Sequence, residues 1–181
     1  DGPPPGTGSA DDVHEVYAIR FAHRDESVRG EHFYGFDARP FDPWPISYYV
    51  WLAVSARGAV LVDAGFTPET AARRGRRRYL RHPRDTVAAL GVDPDRITHL
   101  VLSHLHYDHV GHVADFPGAE VLLQRAELDF WVSRHAGRGE FAHLVEPADM
   151  TYLVERARAG TIRLVDGDTD VVPGVTTHRV G

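Results

Sequence analysis

Cysteine and lysine are both missing from the 181-residue chain. Without cysteine there are no disulfides and no thiolate ligands, so any metal has to be held by His and carboxylate side chains. A cysteine-free chain also suits the cytoplasm. Without lysine, all 20 basic residues are Arg, which reads as a compositional bias of the source and not as a functional signal. No apolar run approaches the roughly 18 to 20 residues that a membrane helix needs. The opening DGPPPGTGSADD has neither the charged nor the apolar region of a signal peptide. A soluble protein with no membrane partner is expected. The net charge of -6 argues against a nucleic-acid partner.

What is present fits a globular domain, with 43% hydrophobic and 25% charged residues. Residues 1–12, rich in Pro, Gly and Ser, read as a flexible lead-in, and residues 13–181 as one folded domain. Val13, Val16, Tyr17, Ile19 and Phe21 alternate loosely and predict a strand. The three prolines of DARPFDPWPI make that stretch a loop. SYYVWLAVSARGAVLVDAG reads as a β-hairpin turning at Ser55 to Gly58. Thr67-Pro68 has the form of a helix cap followed by proline at the first helical position. The chain from there to Arg84 is dense in Arg, and a short helix is expected from Asp85 to Leu90.

RITHLVLSH is a buried strand, AEVLLQ another, and RAELDFWVSR and PADMTYLVERARA are helices, the second ended by Gly160. The remainder, from Thr161, reads as strand, turn and strand. Strands and helices interleave, so the fold class is α/β, a sheet covered by helices.

At the end of the RITHLVLSH strand stand His104, His106, Asp108 and His109, in the pattern H-x-H-x-D-H. In an extended loop, side chains two apart share a face, which puts His104, His106 and Asp108 together and turns Leu105 and Tyr107 to the other side as anchors. Three imidazoles and a carboxylate suit Zn, Fe or Mn and could serve two adjacent ions. A His-rich surface loop is the blander reading, and the apolar strand leading straight into the cluster counts against it.

THLVLSHLHYDHVGH, followed by FPGAEVLLQRAELDF and preceded by VLVDAGF, resembles the metallo-β-lactamase superfamily and looks most like its N-acyl-homoserine-lactone lactonase branch. The resemblance runs from about Tyr49 to the last residue. It implies the αββα sandwich of that family, with this chain forming its N-terminal two-thirds. It also implies two divalent metal ions, Zn in the first place with Fe, Mn or Co as alternatives. His104 and His106 would serve the first ion and Asp108 and His109 the second, with Asp63 supporting the ligands from behind.

The implied activity is a metal-dependent hydrolase that opens a lactone or small ester with a metal-bridging hydroxide, and Asp108 as the catalytic group passing a proton to the leaving alkoxide. N-acyl homoserine lactone is the leading substrate, which would make the reaction quorum quenching. A thioester hydrolase resembling glyoxalase II and a non-catalytic domain of the same fold are the alternatives.

The family takes three further ligands from its C-terminal half: a His in a Gly-His turn, a bridging Asp and a final His. This sequence ends PGVTTHRVG, where that turn begins in the relatives, so a fragment of a longer protein is expected and His178 is read as a strand residue. The Arg run from Arg73 to Arg84 is expected to be a solvated helix face or a subunit contact, the latter in keeping with a homodimer. His112 falls outside the ligand pattern and is read as a pocket-edge or surface residue. Phe41 and Trp44 are candidates for lining an apolar pocket for an acyl chain.

Overall fold

A computed structural model describes residues 13–33, 35–139 and 141–180; the lead-in read at residues 1–12 lies outside them. The strands are β1 (Glu15–Arg24), β2 (Ile46–Ser55), β3 (Gly58–Val62), β4 (Arg78–Tyr79), β5 (Ile97–Leu102), β6 (Glu120–Gln124), β7 (Ile162–Val165), β8 (Thr169–Val172) and β9 (Val175–Thr177). The helices are α1 (Pro68–Arg74), α2 (Pro83–Ala89), α3 (Tyr107–Val110), α4 (Arg125–Trp131) and α5 (Pro147–Arg158). Among the described residues no helix is long and apolar enough to cross a membrane.

Seven strands form one sheet in the order β4-β1-β2-β3-β5-β6-β7. The β1-β2-β3 side is antiparallel, and β3, β5, β6 and β7 run parallel. Alternation along each strand sorts its residues between two faces. Tyr48, Val50 and Leu52 of β2 point inward with Ile19, Leu61, Leu100 and Leu123, where the helices cover them and the main core forms. Val60, Val101 and Leu122 point the other way and are covered by Val171 of the β8-β9 hairpin.

The sequence reading holds for the first hairpin, for the cap of α1, where Thr67 Oγ1 accepts from Thr70 N at 3.2 Å, and for the strand that leads into the motif. It needs correction in four places. The Arg run is not one helix face, because α1 stops at Arg74 before Gly75 at φ +64 and the next residues form the edge strand β4 beside β1. The helix α2 begins at Pro83, earlier than expected, because the His82 side chain caps it by accepting from Arg84 N. The C-terminal segment holds three strands, the first in the main sheet and the others in the separate hairpin. His178 lies just past β9, exposed and paired with Asp168.

Candidate metal centre

Strands β3 and β5 run side by side with Val62 opposite Val101, so the loops leaving their C-terminal ends meet, the position where open α/β sheets bind ligands. The first loop begins at Asp63, a buried residue at φ +63. Its carboxylate accepts from Ser103 N at 2.8 Å, from Ser103 Oγ at 2.9 Å and from His109 Nδ1 at 2.8 Å. Since a carboxylate only accepts, the His109 nitrogen facing it, Nδ1, carries a proton, and Nε2 is the nitrogen turned toward Asp108. The backbones are laced as well: Asp63 N donates to Val101 O, Ala64 N to His109 O and Gly111 N to Gly65 O.

The motif differs from the extended loop read in the sequence. It is extended only as far as His106, then turns into α3, one helical turn carrying Asp108 and His109. That turn swings His109 back over His104, with ring centroids 3.9 Å apart, while His106 meets His104 edge-on at 4.5 Å. Asp108 Oδ2 stands 3.5 Å from His109 Nε2. The expected anchors are in place, with Leu105 and Tyr107 buried.

Five further contacts were not visible in the sequence. Tyr107 Oη accepts from Arg77 Nε at 2.8 Å, and the Arg74 guanidinium lies 3.6 Å over the Tyr107 ring. Glu127 of α4 accepts from Leu105 N at 2.8 Å and from Trp131 Nε1 at 2.6 Å, and Trp131 in turn packs edge-on against His106. The only trace of this in the sequence is a Glu placed i, i+4 from a Trp in a predicted helix.

Burial pushes the His104 and His106 imidazoles down, and the neighbouring His109 adds to this at both rings, so both are neutral and offer lone pairs. Burial alone would raise the Asp108 carboxyl, but the hydrogen bond and charge of His109 outweigh it and hold the group below the usual carboxylate range. At His109 burial opposes the charge, yet Asp108 and Asp63 win and lift it to about 9.

The other predicted residues stand apart. Phe41 is 86% exposed, and Trp44 packs on Phe33 and under the Arg29 guanidinium. His112, expected at a pocket edge or at the surface, is only 4% exposed, and its Nδ1 faces Asp115. Among the described residues, the three whose donor atoms all come within 4.8 Å of one another are His82, His112 and Asp115, not three from the motif.

Residues 43–179 match the metallo-beta-lactamase superfamily. Over 46 residues the chain is 48% identical to the N-acyl homoserine lactonase AttM of Rhizobium johnstonii, a stretch that is 25% of this chain and 18% of that protein. It superposes on a crystal structure of a quorum-quenching N-acyl homoserine lactone lactonase with a TM-score of 0.63 and 21% identity, covering 91% of this chain and 62% of that one. A complex of AidC, a dizinc quorum-quenching lactonase, with the product N-hexanoyl-L-homoserine gives a TM-score of 0.59 and 19% identity, covering 94% and 72%. The chain thus spans 62% of the first of these solved lactonases, 72% of AidC and a much smaller share of the curated relative it matches. The loop after β3 with its Asp63, the H-x-H-x-D-H turn after β5 and the match over residues 43–179 together make this chain a member of the metallo-beta-lactamase superfamily.

Proposed function

We propose that this chain carries part of the active site of a metal-dependent hydrolase that opens a lactone or small ester, with N-acyl homoserine lactone as the substrate. The observation behind this reading is the gathering of His104, His106, Asp108 and His109 at the ends of two parallel strands, with Asp63 fixing the His109 ring. Three imidazoles and a carboxylate form a donor set that fits Zn or a similar divalent ion, with His109 giving up its Nε2 proton on binding. His104 and His106 would hold one ion, and Asp108 and His109 a second. When bound, such ions supply a Lewis acid and a water acidified to near neutral pH.

The chain's own residues do the rest. Asp63 keeps the His109 proton on Nδ1, so that Nε2 is the nitrogen offered to a ligand. Glu127 holds the Leu105 amide and Arg77 holds Tyr107, which together fix the backbone on both sides of His106. Asp108, ionised at neutral pH, is the group that would take up a proton and return it to the leaving alkoxide as the ester bond breaks. Phe41 and Trp44 remain the proposed contacts for an acyl chain, and the two copies of a homodimer the proposed assembly.

The test pairs acid release from N-acyl homoserine lactone with elemental analysis. His106→Ala and Asp108→Ala are each expected to lower turnover by at least about 100-fold and to reduce bound metal. Normal turnover with full metal content in Asp108→Ala would overturn the assignment.

A further inference from the structure

Away from the motif, three side chains from two segments converge near β4. His82 caps α2, His112 follows α3, and Asp115 closes the short 3-10 turn Val113–Asp115. Asp115 Oδ2 lies 2.7 Å from His112 Nδ1 and 3.2 Å from His82 Nε2, and the two imidazole centroids are 4.1 Å apart. The donor atoms of all three fall within 4.8 Å of one another. We infer that His82, His112 and Asp115 form a second binding site for a divalent transition metal ion, independent of the H-x-H-x-D-H motif.

Two nitrogens and one carboxylate, with a position left for water, match the ligand number and chemistry of three-ligand zinc sites, whereas Mg and Ca prefer oxygen alone. Access is open on one side, because the side chains of His82 and Asp115 are 29% and 40% exposed while that of His112 is 4% exposed. The surroundings are negative. The Tyr79 hydroxyl, 3.0 Å from His112 Nε2, is held protonated by burial first and then by the charges of Asp115, Asp85 and Glu69. The nearby Arg84 guanidinium spends its hydrogen bonds on the Asp115 carbonyl and on Asp95, not on the Asp115 carboxylate.

Proton bookkeeping makes the inference specific. A carboxylate only accepts, so as the cluster stands both nitrogens facing Asp115 carry hydrogen. An ion placed between the three ligands displaces those hydrogens. The His112 proton moves to Nε2, where Tyr79 Oη is in place to accept it, the usual outer partner of a ligating histidine. The His82 proton moves to Nδ1, which then can no longer accept from Arg84 N. Metal uptake at this site therefore releases the cap of α2, and the Arg84 amide reports it.

The experiment is a zinc titration of the intact protein and of His106→Ala/Asp108→Ala, which takes one proposed ligand from each ion of the motif, with folding checked by circular dichroism. The double variant is expected to bind about one zinc ion, with the Arg84 amide shifting in NMR spectra. Adding His82→Ala or Asp115→Asn should weaken that binding by at least about tenfold. A folded double variant that takes up no zinc, or uptake that ignores both added substitutions, overturns the site. If the double variant does not fold, the single variants His82→Ala and Asp115→Asn decide the matter in the otherwise unaltered protein: each should lose about one zinc equivalent, and unchanged content overturns the site. Loss of lactone turnover alone bears on the motif and leaves this inference untouched.

Discussion

Gly111 is the residue at which the two loops of the metal centre touch. A Cβ there would lie 2.9 Å from Phe66 Cα, 3.1 Å from Gly65 O and 3.2 Å from Thr67 N. All three are backbone atoms, so no side chain can rotate away to make room. Gly111 has helical dihedrals of φ -63 and ψ -26, which alanine adopts freely, so Gly111→Ala isolates the contact from any backbone preference. It is expected to cost about 1 to 3 kcal/mol of stability, measured by urea unfolding; a cost below about 0.5 kcal/mol, the range of neutral surface changes, would show that the loops do not pack this closely. The same scale shows what could be read in advance. His104, His106, Asp108 and His109 lie within six positions, so spacing alone reveals them, and the short Asp-x-Gly segment marks Asp63. His112 and Asp115 are a local pair three positions apart, but His82 joins them only through tertiary folding from thirty positions away.

Elements were legible where their ends carry capping chemistry. Pro147 and Gly160 bracket α5, and Thr67-Pro68 opens α1 as the sequence predicts. What no local signal carried is how helices dock on one another. Arg73 and Arg74 of α1 both pair with Glu146, just before α5, and Arg74 also donates to the carbonyls of His143 and Val145. This clamp shapes the surroundings of Asp149 in the first turn of α5. Burial pushes the Asp149 carboxyl up and Glu146 adds to it, against Arg73 and Arg74, and the group settles at about 6. A pKa above the unfolded value of about 3.9 means that the stability tied to this group is fully present below pH 3.9 and is lost as pH rises through about 6. Asp149→Asn removes that loss. The variant should melt at a higher temperature than the parent at pH 7.5, and the difference should shrink steadily toward pH 4.5. An equal difference at both pH values would mean that the carboxyl is not held up by its surroundings.

Across the whole molecule, the sheet presents two faces of unequal cover. The inner face is closed by helices, while on the outer face the cluster under the β8-β9 hairpin spans β3, β5 and β6 and takes in Ala53 of β2 and Val165 of β7. Among the described residues, the outer face over β1 and the rest of β2 is open. Val16 pairs across from Ala53, Ala18 from Trp51 and Arg20 from Tyr49, and Trp51 and Tyr49 stack at 6.0 Å with the Trp51 residue 47% exposed. The sequence marked SYYVWLAV as a strand of the hairpin, but which of its faces meets the helices depends on where they dock. Contiguous exposed apolar surface of this kind binds hydrophobic dyes, and two neighbouring residues on opposite faces make a paired test. Trp51→Lys should lower dye fluorescence and change the unfolding free energy by less than about 0.5 kcal/mol. Leu52→Ala, one position along and fully buried among the core side chains, should cost about 2 to 5 kcal/mol and leave the outer patch in place. If Trp51→Lys is instead the destabilising change and dye binding persists, the open face lies elsewhere, and the division of the sheet into a covered and an open side is wrong.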